Sequence, residues 1–503
     1  MTLLIRNVRI LGGAGEHPGP CDVFVSGEKI SAIGSFPDKK ADEALDGQGA
    51  YLSPGFIDVN TDSDHYLTLF DHPGQEDFLR QGVTTIFGGM CGASLAPLLY
   101  GTLESVRKWG GSEDTINVDW HTMAEFLAAV DQRPFAVNFG TLAGHGTMRR
   151  AIVGDDIRAL TQNELAVLSG MLRKAMEEGA FGLSTNLGAV HAQKASYPEI
   201  RSLAQIVKDR GGIYATHLRR PGAGMDGSVE ETIRLARDTG VKALVNHFVP
   251  VRGAEKDYEK AFEAIEMLPA EVDVRFDIYP FDAMLSPFYT FLPEWVRGGG
   301  FEVMLANIRE EWLVPKILKE MQPIEADRLS IAQAPGNDFL VGKTLADLCG
   351  MYGVKDGREA LLKLMVTTKM RGVAFYRNLD GDLIKRAMAS KRAFIASNAA
   401  SFGVKGSVGR QLKSERTTST FVKFLKMAED ENFMPLADAI RKITLEPAVK
   451  FGLIGRGEIK EGNYADLACF KNGEVKFTVV NGKVVVKDGE FLDRFPGKAL
   501  RHV

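Results

Sequence analysis

Three residues in this chain could share a metal ion. Cys91, His217 and His247 offer one thiolate and two imidazoles, a set that suits zinc and leaves a position open for water. Taken singly, a cysteine in a Gly-rich turn (Gly88-Gly89-Met90-Cys91-Gly92) is commonly a small buried filler, and a histidine near a strand end is commonly a hydrogen-bonding core residue. Each of the three, however, closes or follows a short apolar run, and that shared position argues for one site. A second group, Asn60, Asp62, Asp64 and His65, follows the run Phe56, Ile57, Val59. Asp62, Asp64 or His65 could take a proton from water, and Asp62 could also ligate a metal through oxygen. Cys91, His145, Tyr279 and Asn398 come after other runs of the same kind.

Residues this far apart can cooperate only if something gathers them, and a parallel barrel does so because every strand ends on the same face. Eight apolar runs are short enough and buried enough in character to be its strands: those at Phe56, Thr84–Phe87, Ala136–Phe139, Gly182–Ser184, Gly212–Ala215, Ala243–Asn246, Val272–Asp277 and Ala393–Ala396. Helical patterns fit between them, such as 163–178 and 228–239, the latter stopped by Gly240. Residues 56–451 therefore read as an α/β (βα)8 TIM-like barrel. Before it, Leu3–Ile5, Val8–Leu11, Val23–Val25 and Ile30–Ile33 read as short strands, and Asp466–Phe470, Phe477–Val480 and Lys483–Val486 do the same after it, with Asn481-Gly482 as a hairpin turn. Residues 1–55 and 452–503 thus predict one small β-sandwich domain made from both ends of the sequence. From 283 to 350 the rhythm breaks into an aromatic- and proline-containing stretch, read as an insertion near the barrel mouth.

A chain of 503 residues is too long for one core. Its net charge of −4 gives no reason to expect nucleic acid or an anionic membrane as partner. No apolar run approaches the ~20 residues a bilayer span requires, and the first residues have no signal-peptide pattern. Four cysteines (Cys21, Cys91, Cys349, Cys469) form no CxxC pair and no disulfide framework, so a reducing cytoplasm is expected.

Several segments resemble one family. Pro54-Gly55-Phe56-Ile57-Asp58 resembles the strand signature of the amidohydrolase superfamily, Pro-Gly-Phe-Ile-Asp-x-His-x-His, with Asn60 and Asp62 standing where the histidines belong. Gly89-Met90-Cys91-Gly92-Ala93-Ser94-Leu95-Ala96-Pro97 is similar to the Gly-Asn-Cys-Gly-x-Ser-x-Ala-Pro motif of the N-acyl-D-amino-acid deacylases, or D-aminoacylases. Gly144–Arg149, Gly179–Thr185, Tyr214–Arg219, Asn246-His247, Asp277–Pro280 and Gly462–Leu467 resemble further segments of that family in its order. The resemblance implies a tightly held metal on Cys91, His217 and His247. It places a second metal position on Asn60, Asp62 and Asn398, all three changed here, so one zinc ion is the expectation. The last of these is the family's aspartate and expected general base, a task that Asn398 cannot perform.

These readings converge on a metal-dependent hydrolase of a small amide, the resemblance pointing to an N-acyl-D-amino acid. Metal-bound water would attack the carbonyl while Asp62, Asp64 or His65 handles the proton. Arg219, Arg252, Arg377, Tyr279 and His145 are the candidates for binding the substrate. Two other readings keep the fold: a catalytically impaired homologue that binds a small molecule or partner, and a hydrolase of a cyclic amide or ester. Oligomeric state is not legible.

Overall fold

A computed structural model describes residues 1–13, 19–99, 118–154, 156–298, 300–403, 412–430 and 433–503. The eight expected runs are all strands: Phe56–Asp58, Val83–Gly88, Asn138–Thr141, Gly182–Asn186, Ile213–His217, Lys242–Val245, Val274–Ile278 and Ala393–Ile395, here the first to eighth barrel strands. The first three pair in parallel, and the last five pair in parallel with one another, together with Ala143–Gly144. Two bonds close the ring: Phe181 N–H to Thr141 O at 2.9 Å and Asn398 N–H to Asn60 O at 2.9 Å. The chain forms a TIM barrel with a β-rich unit beside it.

Alternation along the strands fills the barrel. Ile57, Phe87, Ile213, Ala215, Leu244 and Phe394 belong to one apolar cluster that includes Met90 and Cys91. Their neighbours Phe56, Ile86, Tyr214, Val245 and Ile395 pack in the larger cluster beneath the helices. Phe451 joins the inner cluster, its ring 4.1 Å from that of Phe87 between centroids. Helix placement follows local signals: Thr161 caps Gln162–Glu177 with its hydroxyl on the Glu164 N–H, and Gly240 at φ 70° ends Met225–Thr239.

A nine-stranded sheet takes strands from both ends of the chain. Tyr51–Pro54 pairs in parallel with Thr2–Ile10 on one side and antiparallel with Leu467–Lys471 on the other. The two short strands read at Leu3–Ile5 and Val8–Leu11 are one strand, Thr2–Ile10, with a register shift between Ile5 and Val8. Asn7 adopts φ 54° at that shift, which lets the strand bulge without ending.

The segment read as an insertion from 283 to 350 extends further. Met284–Pro287, Val373–Tyr376 and Leu329–Gln333 form an antiparallel sheet with Val373–Tyr376 at its centre. Its apolar cluster runs from Phe288 to Tyr376 and is separate from the barrel core. The boundary at 350 was therefore too early, because the strand that organises the segment comes last in sequence. No helix among the described residues is long and apolar enough to cross a membrane.

Candidate metal centre and active site

Alternation along the fifth strand places His217 on the same face as Ile213 and Ala215, inside the barrel. The sixth strand needs a different device. Continuing past Leu244, alternation turns Asn246 inward and would send His247 outward, but His247 adopts φ 35° and turns back. Cys91 likewise has φ 50°, in a turn that only glycine can flank. A Cβ on Gly89 would lie 2.1 Å from Leu142 O, and one on Gly92 would lie 2.6 Å from Asn186 N. Such backbone strain in bulky residues costs ~1–3 kcal/mol each and persists where the surroundings impose it.

The result is convergence. His217 Nδ1 and His247 Nε2 are 2.9 Å apart, Cys91 Sγ is 3.4 Å from His247 Nε2, and the three donor atoms lie within 4.8 Å of one another. Tetrahedral zinc with bonds of ~2.0–2.3 Å requires ligand atoms roughly 3.3–3.7 Å apart, so the donor set fits one ion in chemistry, the Cys91–His247 separation matches, and the two imidazoles would part by a few tenths of an ångström to admit it.

The remaining expected residues divide. Asp62 and His65 form a pair, with His65 Nδ1 2.9 Å from Asp62 Oδ1 and His65 Nε2 3.1 Å from Ala93 O. Asp64 is fully buried and accepts the Gly89 N–H at 2.6 Å, which anchors the turn that carries Cys91. Its Oδ1 is buried with no hydrogen-bond partner among the described residues. Asn398, at φ 44°, continues the eighth strand onto the same face. Its Oδ1 and that of Asn60 are buried with no hydrogen-bond partner among the described residues.

Most of the expected substrate cations are already engaged. Arg219 makes a two-pronged ion pair with Glu231 at 2.9 and 3.1 Å. Arg377 is half exposed and pairs with Asp282 at 2.7 Å, and Arg252 donates to Leu379 O at 3.2 Å. His145 is fully buried, with Nε2 2.8 Å from Glu199, which also takes Arg149. Its Nε2 is thus engaged by a carboxylate, while its Nδ1 is buried with no partner among the described residues. Tyr279 does lie at the end of the seventh strand, and Arg416 stacks over its ring at 4.5 Å. Burial, opposed by Arg416, raises the Tyr279 hydroxyl above its ordinary range.

Arg416 is one residue the sequence reading missed. It is 3% exposed, yet no carboxylate among the described residues pairs with it. The signal was present: Arg416, Thr420, Phe421 and Phe424 share the buried face of the helix Glu415–Asp430. Asp58 and Asp277 were also missed, two carboxylates within strands and fully buried. Burial pushes Asp58 up to about 7 and Asp277 up to about 6, against hydrogen bonds that favour ionisation.

The chain is similar to known proteins along nearly its whole length. A profile of the amidohydrolase family matches residues 382–485. The D-aminoacylase of Alcaligenes xylosoxydans xylosoxydans is 28% identical over 521 residues, covering 99% of this chain and 97% of its own. The chain is an amidohydrolase related to the D-aminoacylases. The N-acyl-D-aspartate deacylase of the same organism is 27% identical, over 94% of this amidohydrolase and 86% of the relative. A solved D-aminoacylase, studied for the one-metal activation and second-metal attenuation of its binuclear centre, superposes with a TM-score of 0.80 at 26% identity, covering 99% of both chains. Metal binding is thus a property of the related structures.

Proposed function

We propose that this amidohydrolase removes the acyl group from an N-acyl-D-amino acid or a closely related small amide, with one zinc ion held by Cys91, His217 and His247. The observation that carries the reading is the convergence of those three donor atoms on one point. When bound there, the ion would lower the pKa of a water toward ~7 and polarise the amide carbonyl.

We assign the proton to Asp62. Both ring nitrogens of His65 lie against protein oxygens, Nδ1 at Asp62 Oδ1 and Nε2 at Ala93 O, so the protein holds its ring in place. The pair thereby orients the Asp62 carboxylate. Asn398 contributes a neutral amide, which can accept a hydrogen bond from the substrate and cannot take a proton. For the substrate carboxylate we assign Arg416, whose guanidinium lies over the Tyr279 ring and has no carboxylate paired with it among the described residues. Similarity to the D-aminoacylase and the N-acyl-D-aspartate deacylase supports the substrate class.

The test is elemental analysis of the purified protein together with hydrolysis of matched N-acetyl-D- and N-acetyl-L-amino acids. About one zinc per chain, lost in Cys91→Ala, with turnover of the D-series, is the expected result. A protein that holds no stoichiometric metal and cleaves no amide with zinc added contradicts the reading.

A further inference from the structure

Asp277 lies near the end of the seventh strand in full burial, with no lysine or arginine paired with it among the described residues. A carboxylate in such a place costs several kcal/mol unless hydrogen bonds replace the lost water. Three donors do so here. Asn246 Nδ2 donates to it at 2.9 Å, Asn60 Nδ2 lies 3.3 Å from each of its oxygens, and the His247 backbone N–H donates at 2.7 Å. The shortest of these bonds ends on the residue whose side chain faces Cys91 and His217. His247 is also the residue bent to φ 35°, a conformation that needs an external hold. Asn246 and Asn60 brace the carboxylate from the ends of the sixth and first strands.

We propose that Asp277 is the positioning residue of the metal centre. It holds the main chain of His247 in its left-handed turn, and so brings His247 Nε2 to the point where Cys91 Sγ and His217 Nδ1 meet. The proposal rests on the reading of those three residues as metal ligands. It goes beyond that reading in giving a buried carboxylate, with no contact to the ion, control over how tightly the ion is held. An amide at 277 would have one acceptor oxygen where the carboxylate has two. With that oxygen kept on the His247 N–H, its NH2 would face the NH2 of Asn246, two donors opposed. Exchanging the pair, in Asn246→Asp with Asp277→Asn, restores an acceptor opposite each donor.

The test measures Co(II) affinity by chelator competition and records the thiolate-to-cobalt absorption. It compares the parent with Cys91→Ala, Asp277→Asn, Asp277→Ala and the exchanged double variant. Loss of a group that orients a ligand commonly costs ~10- to 100-fold in metal affinity. That loss is expected in both single variants at 277, with a shifted thiolate band, and the double variant recovers most of it. Parental affinity and spectrum in Asp277→Asn overturn the proposal, even if the variant melts earlier, because a purely structural carboxylate would behave that way. If Asp277→Ala does not fold, Asp277→Asn and the double variant decide the matter alone. If the parent binds no Co(II) that depends on Cys91, the ligand assignment itself falls, an outcome distinct from failure at Asp277.

Discussion

Replacing Asp58 with asparagine should make the protein's stability less dependent on pH, and the size of the effect follows from where Asp58 sits. Its carboxylate is fully buried at the end of the first barrel strand and accepts the backbone N–H groups of Asn60 at 3.2 Å and Ser397 at 3.1 Å. Burial outweighs those bonds and moves the group from 3.8 to about 7. Between those two values the folded chain holds a proton that the unfolded chain has released. Stability from this group is therefore full below the unfolded value and falls as pH rises toward 7, by about 4 kcal/mol in total. About 3 kcal/mol of that fall lies between pH 5 and pH 8. An asparagine keeps an acceptor oxygen for both N–H groups and has no proton to lose. Denaturant unfolding of parent and Asp58→Asn at pH 5 and at pH 8 measures the double difference. The variant should gain about 3 kcal/mol relative to the parent over that interval. Parallel behaviour of the two proteins would show that Asp58 is solvated or ionised at low cost, and would refute the argument.

Other outcomes follow from the same structure. Cys91→Ala should leave the barrel folded while stoichiometric zinc is lost, measured by elemental analysis beside circular dichroism. Arg416→Met should raise KM for N-acyl amino acids by ~10- to 100-fold, the worth of a hydrogen bond to a charged group, and leave hydrolysis of an amide lacking a carboxylate nearly unchanged. Asp62→Asn should lower kcat by ~10²- to 10⁴-fold with zinc content retained. Burial lowers Lys450 from 10.5 to about 8, against the pull of Asp273. The unfolded chain thus binds the extra proton between those values, so stability should rise by about 3 kcal/mol from pH 8 to 10.5. Thermal unfolding of Lys450→Met should lack that rise.

The barrel was legible because parallel strands buried on both faces read as short apolar runs, and all eight were placed within a few residues. Cys91, His217 and His247 were legible as a set because they stand at strand ends. Their convergence was not, since it depends on left-handed turns at Cys91 and His247 that no side-chain pattern announces. The arginines show the opposite failure. Proximity to a strand end selected Arg219 and Arg377, but pairing with Glu231 and Asp282 is a matter of tertiary geometry. Arg416 was passed over because its helix reads as amphipathic, and one cation on the apolar face is easily taken for a solvated one. Asp58 and Asp277 were absorbed into strand patterns, where an acidic residue inside an apolar run was itself the signal.

The nine-stranded sheet carries a consequence for how the chain reaches this state. Tyr51–Pro54 is bonded on one edge to Thr2–Ile10, a local partner, but its other edge waits for Leu467–Lys471, with Ser53 and Ala468 lying 415 residues apart. During synthesis the whole barrel must emerge before that edge is covered. An open edge of this kind templates strand pairing with other chains. The interval of exposure is long, because it scales with the time needed to translate the intervening sequence. The protein's yield in a cell should therefore depend on protection of its first fifty residues, and a circular permutation that places the two halves of the sheet side by side would shorten the wait.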